Sequence, residues 1–284
     1  MAEWSAPEWS ASVVRWQLWS DDDEEWLESL RTRYEVWRME EKASSDEVLI
    51  PRVLHQIWLG PAILPFEAFR LKWQRLHPLW EMRLWRDAEV EDLMKSSVCG
   101  EAYARASNYG EKSDIARYEI LRKFGGVYVD CDFEPLKPLD ALLGVGLFAG
   151  FSNVGAVELN NGILGARRGH PLMAACVQRI KTPKKQDLAA LVLGSGFLGA
   201  SSALAETLAE RDAATTIEST GPGYFTRIFC THPTADALCL PPEVFYAAPN
   251  TSSADKMSFT TEASLALHHW AKSWITTTKH NNGD

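Results

Sequence analysis

The sequence predicts an α/β protein in which a Rossmann-like mixed sheet is flanked by helices and preceded by an N-terminal helical arm. Short β-branched and aromatic runs alternate along the chain with segments of helical periodicity. One of these runs, at residues 126–129, ends in two closely spaced aspartates. The 284 residues, 46% hydrophobic and 24% charged, suffice for one sizeable domain and an arm. We expect the arm over residues 1–48 and the domain over residues 49–284.

The composition indicates which cellular compartment and which kinds of partner to expect. A net charge of −9 argues against a nucleic-acid partner, and five cysteines without a CxxC pair are typical of reduced thiols, although Cys230 and Cys239 could pair. No basic, apolar signal sequence opens the chain. The window 188–205 is uncharged, but glycines and serines make it too weakly apolar to favour a membrane span. We therefore expect a cytoplasmic protein without a transmembrane segment, with peripheral membrane contact left open. The alternative is the Golgi lumen, if the chain is targeted by a route that the sequence does not display.

The predicted arm is rich in tryptophan. It holds half of the protein's twelve tryptophans, which are Trp4, Trp9, Trp16, Trp19, Trp26 and Trp37. Ser20 followed by acids predicts a helix start, and Trp26, Leu30 and Tyr34 then recur on one face. We expect this stripe to pack on the domain. The alternative is an exposed aromatic surface for a glycan, a lipid interface or a partner.

The domain begins with alternating strands and helices. Periodicity predicts, in order, a strand at 53–58, a helix at 66–76, a strand at 80–85 and a helix from 87 to 94. His55 lies within the first, apolar strand. A single histidine in such a strand is more often a hydrogen-bonded core residue than a ligand, so we predict a structural role.

The most informative stretch is residues 112–140. Its apolar spacing predicts a helix, with Ser113 or Asp114 as its cap and glycines 125 and 126 as its stop. A buried strand follows and runs into Asp130 and Asp132. If the chain stays extended there, both carboxylates face one side, which suits Mg²⁺ or Mn²⁺. Asp114 and Arg117, three residues apart, share one side of the helix. A solvated turn that ends the strand is the alternative interpretation of a lone DXD motif.

Downstream, residues 142–151 have the pattern of an apolar strand and turn, and a helix is predicted from Pro171 to Ile180. Asn160 and Asn161 lie between these two segments. Asparagine is common in turns, so the two residues could equally form an ordinary turn or have a functional role. Residues 266–274 would suit an amphipathic terminal helix, or a functional segment with His268, His269 and Ser273.

The run SDxxRYxxLxxxGGxYxDxDxxxxxPLD, at residues 113–140, resembles the DXD-containing sugar-binding glycosyltransferase family. That family includes Golgi initiating α-1,6-mannosyltransferases and mannosyl-inositol-phosphoceramide synthases, with the large glucosylating bacterial toxins as more distant members. The resemblance extends upstream to residues 50–58 and downstream to residues 268–274, and so covers about residues 49 to 275.

This resemblance implies a GT-A type, nucleotide-sugar-binding fold and a set of site residues. It implies that Asp130, Asp132 and His269 bind Mn²⁺ or Mg²⁺, and that Asp114 and Arg117 contact the sugar or diphosphate. The remaining implied contacts are Asn161 near the transferred sugar, Ile57 and Trp58 at the base, and Ser273 and Trp274 over the diphosphate. The segment Thr220–Thr226 resembles the TGP segment of the family.

The implied function is metal-dependent, retaining transfer of a hexose. The donor would be a UDP-sugar or GDP-mannose, the sugar mannose, galactose or glucose, and the acceptor a glycan, glycolipid or protein. One alternative is a non-catalytic carbohydrate-binding protein on the same fold. Another alternative is a phosphatase of the haloacid dehalogenase type, which also has a strand that ends in DxD. Such phosphatases have Thr or Val at the position of Glu134 in this chain.

Overall fold

The computed structural model describes residues 22–40, 47–60, 66–154, 157–180, 216–232, 235–250 and 255–271. Within these ranges the helices are α1 (Asp22–Glu40), α2 (Glu67–Leu76), α3 (Asp87–Lys95), α4 (Gly100–Arg105), α5 (Tyr109–Phe124), α6 (Pro171–Arg179), α7 (Pro222–Thr231) and α8 (Pro242–Phe245). The strands are β1 (Val53–Ile57), β2 (Glu81–Trp85), β3 (Gly126–Val129), β4 (Phe133–Pro135), β5 (Leu147–Phe151), β6 (Leu159–Ala166), β7 (Ala237–Leu240) and β8 (Ala266–His268). Two 3₁₀ turns lie at Asp140–Leu142 and Lys256–Phe259.

Six strands form the central sheet, in the order β2-β1-β3-β6-β5-β7. β2, β1 and β3 are parallel, β6 is antiparallel to both of its neighbours, and β5 and β7 are parallel. Five strands therefore end at one edge of the sheet, and β6 begins there. β4 and β8 form a separate antiparallel pair. The predicted mixed sheet flanked by helices is confirmed, and its carboxyl edge is where open α/β sheets bind ligands.

The two faces of the sheet are covered by two hydrophobic clusters. Side chains of α3 to α7 cover one face, and side chains of α2, β4 and α8 cover the other. Side chains along a strand point alternately to the two faces of the sheet. Leu54 and Val129 therefore belong to the second cluster, while Ile57 and Tyr128 belong to the first. The strand β3 is therefore buried on both sides and carries its terminal aspartates out of a rigid core.

Helix α1, the described part of the predicted arm, packs into the same core. Leu27 and Leu30 belong to the first cluster. The Trp26 ring meets Phe151 and Phe229 edge-on, at centroid distances of 6.4 and 6.0 Å. The packing interpretation thus fits this helix, whereas Trp4, Trp9, Trp16 and Trp19 lie outside the described residues.

Helix α5 begins earlier than predicted. Its N-cap is Asn108, whose side chain accepts a hydrogen bond of 2.9 Å from the Glu111 amide. The predicted caps, Ser113 and Asp114, lie instead within the helix, which places Asp114 on a buried face. The predicted stop is confirmed, since Gly125 is the C-cap and has a φ of 67°.

His55 is a core residue, as predicted. Its Nδ1 accepts a hydrogen bond from Trp85 Nε1 at 3.1 Å, so Nε2 carries the hydrogen and donates to the Gly125 carbonyl at 2.9 Å. The ring is fully buried, and this burial lowers its pKa from 6.5 to about 4. His55 thus joins β1 to β2 and to the end of α5 in its neutral form.

The neutral state of His55 predicts a pH dependence of stability. The folded pKa lies below the unfolded value, so the unfolded chain binds more protons and stability falls as the pH drops from 6.5 towards 4. Between pH 6.5 and 4.5 we expect this residue to cost about 2 to 3 kcal/mol of unfolding free energy. Urea unfolding of His55→Gln should show a flatter pH profile than wild type. Parallel profiles for wild type and His55→Gln would contradict the assignment.

Two further findings concern the expected membrane spans and disulfides. Within the described ranges, no helix combines the length and apolarity that a membrane span requires, and window 188–205 lies outside them. All five cysteines are free, so the alternative pairing of Cys230 with Cys239 is not formed.

Candidate active site

The two aspartates of the DXD motif lie in a turn at the carboxyl edge of the sheet. β3 ends at Val129, and the Phe133 amide donates to the Asp130 carbonyl at 3.1 Å. The chain therefore turns here, and the condition of an extended chain is not met. The turn still sends Cys131 away, since its thiol donates to the Ile57 carbonyl at 3.4 Å. It also brings the Asp130 and Asp132 carboxylates together.

Among the described residues, Asp130, Asp132 and His268 form a potential metal-binding cluster. One ligand atom of each lies within 4.8 Å of the others. His268 Nε2 is 3.2 Å from Asp132 Oδ1, and the Ala271 amide donates to Asp132 Oδ2 at 2.8 Å. Burial raises the pKa of Asp132, but His268 and this amide outweigh it and lower the pKa to about 2. Asp132 is thus held as a carboxylate at neutral pH.

The cluster fits a divalent cation. His268 Nδ1 is buried and has no hydrogen-bond partner in the described part of the chain, although buried polar atoms are normally paired. Two carboxylates and one imidazole form a donor set that Mn²⁺ accepts, and carboxylates also suit Mg²⁺. Asp130 and Asp132 were predicted ligands, and the structure supplies a histidine as the third.

That histidine is His268, whereas the resemblance implied His269. His269 Nε2 lies 3.1 Å from Glu134 Oε2, and its ring stacks on Phe69 at 4.9 Å. Glu134 is held in turn by Lys72 at 2.9 Å. Successive side chains leave a strand on opposite sides, so only one of the two histidines at the end of β8 reaches the cluster. The assignment of His269 is corrected accordingly.

Matched substitutions distinguish the two histidines. We expect His268→Ala to weaken Mn²⁺ binding by about 10-fold to 100-fold, because it removes one of the three ligands. The same change at His269 removes a half-exposed contact with Glu134 and should leave the affinity within about threefold. Electron paramagnetic resonance titration of free Mn²⁺ measures both. A larger loss from His269→Ala would restore the sequence-based assignment.

Arg117 binds the carboxylates of both α5 and the DXD turn. Its Nη2 lies 3.1 Å from Asp114 Oδ1 and 3.3 Å from Asp130 Oδ1. Its Nη1 donates to the Asn161 carbonyl at 2.8 Å, and the guanidinium lies 4.5 Å above the Tyr128 ring. Arg117 is only 5% exposed. In the structure Arg117 therefore binds two carboxylates of the protein. The resemblance implied a contact with the diphosphate or the sugar.

Asp114 is the most enclosed carboxylate of the site. It accepts hydrogen bonds from Asn161 Nδ2 at 2.8 Å and from Thr220 Oγ1 at 3.2 Å. Burial raises its pKa to about 6 even though Arg117 opposes the shift. The pKa of Asp130 is also raised, because the effect of burial outweighs that of Arg117. The Tyr128 hydroxyl donates to Asp130 Oδ1 at 2.6 Å.

The other predicted site residues fall into two groups. Ile57, at the end of β1, accepts the Cys131 thiol of the DXD turn, and Trp58 follows it in the chain; their role at a nucleotide base stays a prediction. Ser273 and Trp274 lie outside the described residues. Thr220, from the TGP segment, joins the network through Asp114.

Sequence reasoning missed Gly162. Its carbonyl accepts the Asp130 amide at 2.8 Å, and a Cβ on Gly162 would lie 2.8 Å from Asp130 Oδ2. A larger residue would displace this carboxylate. The available signal was a glycine within a strand, which often marks close approach of another group.

An α/β protein with clustered acids and an imidazole at the carboxyl edge of its sheet has the architecture of a metal-assisted ligand-binding site. Residues 67–148 match the family described as a glycosyltransferase sugar-binding region containing the DXD motif. The resemblance stated from the sequence is thereby confirmed for residues 67–148, which are similar to the DXD-containing sugar-binding region of that glycosyltransferase family. The GT-A type predicted with it agrees with the mixed sheet.

Curated relatives agree with this family. An uncharacterised glycosyltransferase of Acanthamoeba polyphaga mimivirus is 30% identical over 132 residues, 44% of this chain and 53% of the relative. An inositol phosphoceramide mannosyltransferase of Schizosaccharomyces pombe is 27% identical over 48% of this chain and 39% of the relative. A mannosyl phosphorylinositol ceramide synthase of Saccharomyces cerevisiae is 27% identical over 47% and 35%. The chain thus spans about a third to a half of the length of these relatives.

Two solved structures are similar to this chain at low sequence identity. The UDP-bound glycosyltransferase domain of the YGT toxin is 11% identical, with a TM-score of 0.48 over 80% of this chain and 83% of that domain. The catalytic domain of the Clostridium novyi α-toxin is 10% identical, with a TM-score of 0.45 over 72% and 77%. Both TM-scores lie below 0.5, so the fold assignment rests on the strand order and the helix layers.

Proposed function

We propose that this protein is a metal-dependent glycosyltransferase that moves a hexose from a nucleoside diphosphate sugar to an acceptor, with retention of configuration. The observation that carries the proposal is the cluster of Asp130, Asp132 and His268 at the carboxyl edge of the sheet. Arg117 and Asp114 adjoin it in one buried network. Fixed charges held in this way are suited to a reaction in which charge develops on a leaving group.

Asp130, Asp132 and His268 would hold Mn²⁺ or Mg²⁺. The cation supplies Lewis-acid stabilisation of the negative charge that develops on the departing diphosphate. Three protein ligands leave positions for oxygen atoms of a phosphate or of water, which is how such cations bind nucleotides. The imidazole ligand favours Mn²⁺ over Mg²⁺.

The surrounding residues orient the reacting groups. Arg117 and Tyr128 both bind Asp130 Oδ1 and hold that carboxylate in place. Asp114 Oδ2 accepts one bond, from Thr220, so it has acceptor capacity left for a sugar hydroxyl. Asn161 positions Asp114 by donating to its other oxygen. In this proposal Arg117 and Asn161 are positioning residues, and Asp114 contacts the sugar.

For the donor we propose GDP-mannose, and for the acceptor an inositol-phosphate glycolipid. Relatives from two yeasts are named as mannosyltransferases or mannosyl synthases of inositol phosphoceramide, which supports mannose over glucose and galactose. The site residues alone fit a UDP-sugar equally well, and glycan or protein acceptors also fit.

The test is sugar-nucleotide hydrolysis and transfer across GDP-mannose, UDP-glucose, UDP-galactose and UDP-N-acetylglucosamine, each with Mn²⁺ and with a chelator. We expect turnover of GDP-mannose with Mn²⁺ and none with chelator, and transfer when inositol phosphoceramide is added. Turnover of a UDP-sugar alone would correct the donor. Glycan binding without metal, with no donor bound or turned over, would support the carbohydrate-binding alternative.

A further inference from the structure

Trp270 has a backbone conformation that is unusual for a large side chain. Its φ is 53°, and within the described ranges it is the one residue other than glycine with a positive φ. This left-handed region is unfavourable for a residue that carries a Cβ atom, which is why glycine or asparagine normally occupies it. Such strain persists only where the surrounding contacts hold it, and it is common at functional sites. The contacts of Trp270 therefore indicate what the strain maintains.

The strained residue lies just beyond the end of β8. His268 is the last residue of that strand, and the amide of the next residue, His269, donates to the Asp132 carbonyl at 3.1 Å. The chain turns at Trp270, and the amide of Ala271 then donates to Asp132 Oδ2 at 2.8 Å. The two amides that flank the strained residue thus bind the backbone and the side chain of the same aspartate. The turn brings the second amide to the carboxylate of a candidate metal ligand.

The indole ring of Trp270 packs on another candidate ligand. Its centroid lies 4.2 Å from that of the His268 imidazole, and the two rings are tilted by 50°. Phe133 stacks on the same imidazole at 4.4 Å, and Tyr246 meets it edge-on at 5.6 Å. Three aromatic rings therefore hold the imidazole in the orientation in which its Nε2 lies 3.2 Å from Asp132 Oδ1.

A hydrogen bond fixes the orientation of the indole ring itself. Trp270 Nε1 donates to the Ala248 carbonyl at 2.9 Å. Phe133 and Tyr246 are fully buried, so the core holds their rings in place, whereas Trp270 is half-buried. A phenylalanine at position 270 would keep an aromatic ring but lose this hydrogen bond, and an alanine would lose both. Substitutions can therefore separate the contributions of the ring, the hydrogen bond and the backbone turn.

We propose that Trp270 is a positioning residue of the metal cluster, whose strained turn places the Ala271 amide on Asp132 and whose anchored ring fixes the imidazole of His268. The proposal rests on the proposed function and deepens it, because it names a residue that sets the geometry of the cation site without binding the cation. Loss of a group that orients a metal ligand typically weakens metal binding by about 10-fold to 100-fold. A side chain that served only the hydrophobic core would change stability and leave this affinity unchanged.

The first test measures Mn²⁺ binding to the full chain by electron paramagnetic resonance, with and without GDP or UDP. We expect Trp270→Ala to weaken binding by about tenfold or more, and Trp270→Phe by about threefold because it retains the ring. The control is Trp80→Phe, which removes an indole N–H that donates to Asp140, outside the metal cluster. This control should match wild type, and circular dichroism establishes that each variant is folded.

A double-mutant cycle distinguishes positioning from general packing. If the ring acts through the imidazole, Trp270→Phe should weaken Mn²⁺ binding by less than about 1.5-fold once His268 is replaced by alanine. An equal loss in both backgrounds would overturn the proposal, and so would wild-type affinity in folded Trp270→Ala and Trp270→Phe. If folded wild type binds no Mn²⁺ with either nucleotide, the metal site of the proposed function itself fails and this inference falls with it.

The strained turn has a test of its own. Trp270→Gly and Trp270→Ala remove the same ring, but glycine adopts a positive φ without strain. Trp270→Gly should therefore unfold at a temperature about 2 to 4 °C higher than Trp270→Ala. It should also bind Mn²⁺ at least as tightly, because the turn that carries the Ala271 amide to Asp132 forms more easily. An unfolding temperature of Trp270→Gly equal to or below that of Trp270→Ala would contradict the role of the turn.

Discussion

Asp132→Asn is expected to lower metal-dependent turnover by about 10²-fold to 10⁴-fold while leaving the fold intact. Asp132 is a carboxylate of the metal cluster, held in its charged form by His268 and the Ala271 amide. Loss of its charge weakens the cation that stabilises the leaving diphosphate, and that stabilisation is worth several kcal/mol at about 1.4 kcal/mol per tenfold in rate. Steady-state hydrolysis of the preferred donor with Mn²⁺ measures the effect.

The control is the same substitution at Asp92, on the surface of α3, whose carboxylate pairs with exposed Lys95. Asp92→Asn should retain wild-type turnover and stability. Circular dichroism and thermal unfolding establish that Asp132→Asn is folded. Turnover near the wild-type value in folded Asp132→Asn would remove Asp132 from the metal site.

Arg117→Ala is expected to destabilise the protein by about 3 to 5 kcal/mol. Arg117 is buried and is the cation that faces both Asp114 and Asp130. Its removal leaves the buried Asp114 and the half-buried Asp130 without their cationic partner, which is more costly than the loss of a surface pair. Urea unfolding at neutral pH measures the change. The resemblance implies that Arg117 contacts the sugar or diphosphate, and its burial against two carboxylates adds a structural role to that prediction.

A double-mutant cycle isolates the cause. Arg117→Ala combined with Asp114→Asn removes one of the stranded charges, so the double variant should lose less stability than the sum of the two single variants. A coupling of about 1 to 3 kcal/mol in this direction is expected for groups in direct contact. Strictly additive losses would mean that Arg117 stabilises the fold independently of Asp114, through Asp130, the Asn161 carbonyl and its packing on Tyr128.

Local patterns in the sequence predicted most of the fold. The strands β1, β2 and β3 and the helices α2, α3 and α6 lie where periodicity placed them. The cap of α5 was missed because several residues near its start are good caps and the choice depends on packing. Asn160 and Asn161 have the composition of a turn but lie in β6, where pairing with β3 and β5 overrides their preference.

Long-range contacts decided what the sequence left open in the site. The sequence showed both aspartates, but it did not show that Asp130 and Asp132 meet across a turn. The choice between His268 and His269 depended on which side of β8 faces the DXD turn, and that depends on pairing between β4 and β8. Because the two histidines are adjacent in the sequence, their spacing does not indicate which of them faces the DXD turn.

The measurement that tests the central claim most directly is Mn²⁺ binding to the full chain by electron paramagnetic resonance, with and without GDP or UDP. We predict one Mn²⁺ site per chain that requires Asp130, Asp132 and His268, with an affinity that rises at least about tenfold when the preferred nucleoside diphosphate is present. Such coupling follows if diphosphate oxygens complete the coordination. A folded wild-type chain that binds no Mn²⁺ in the presence of either nucleotide would contradict the account.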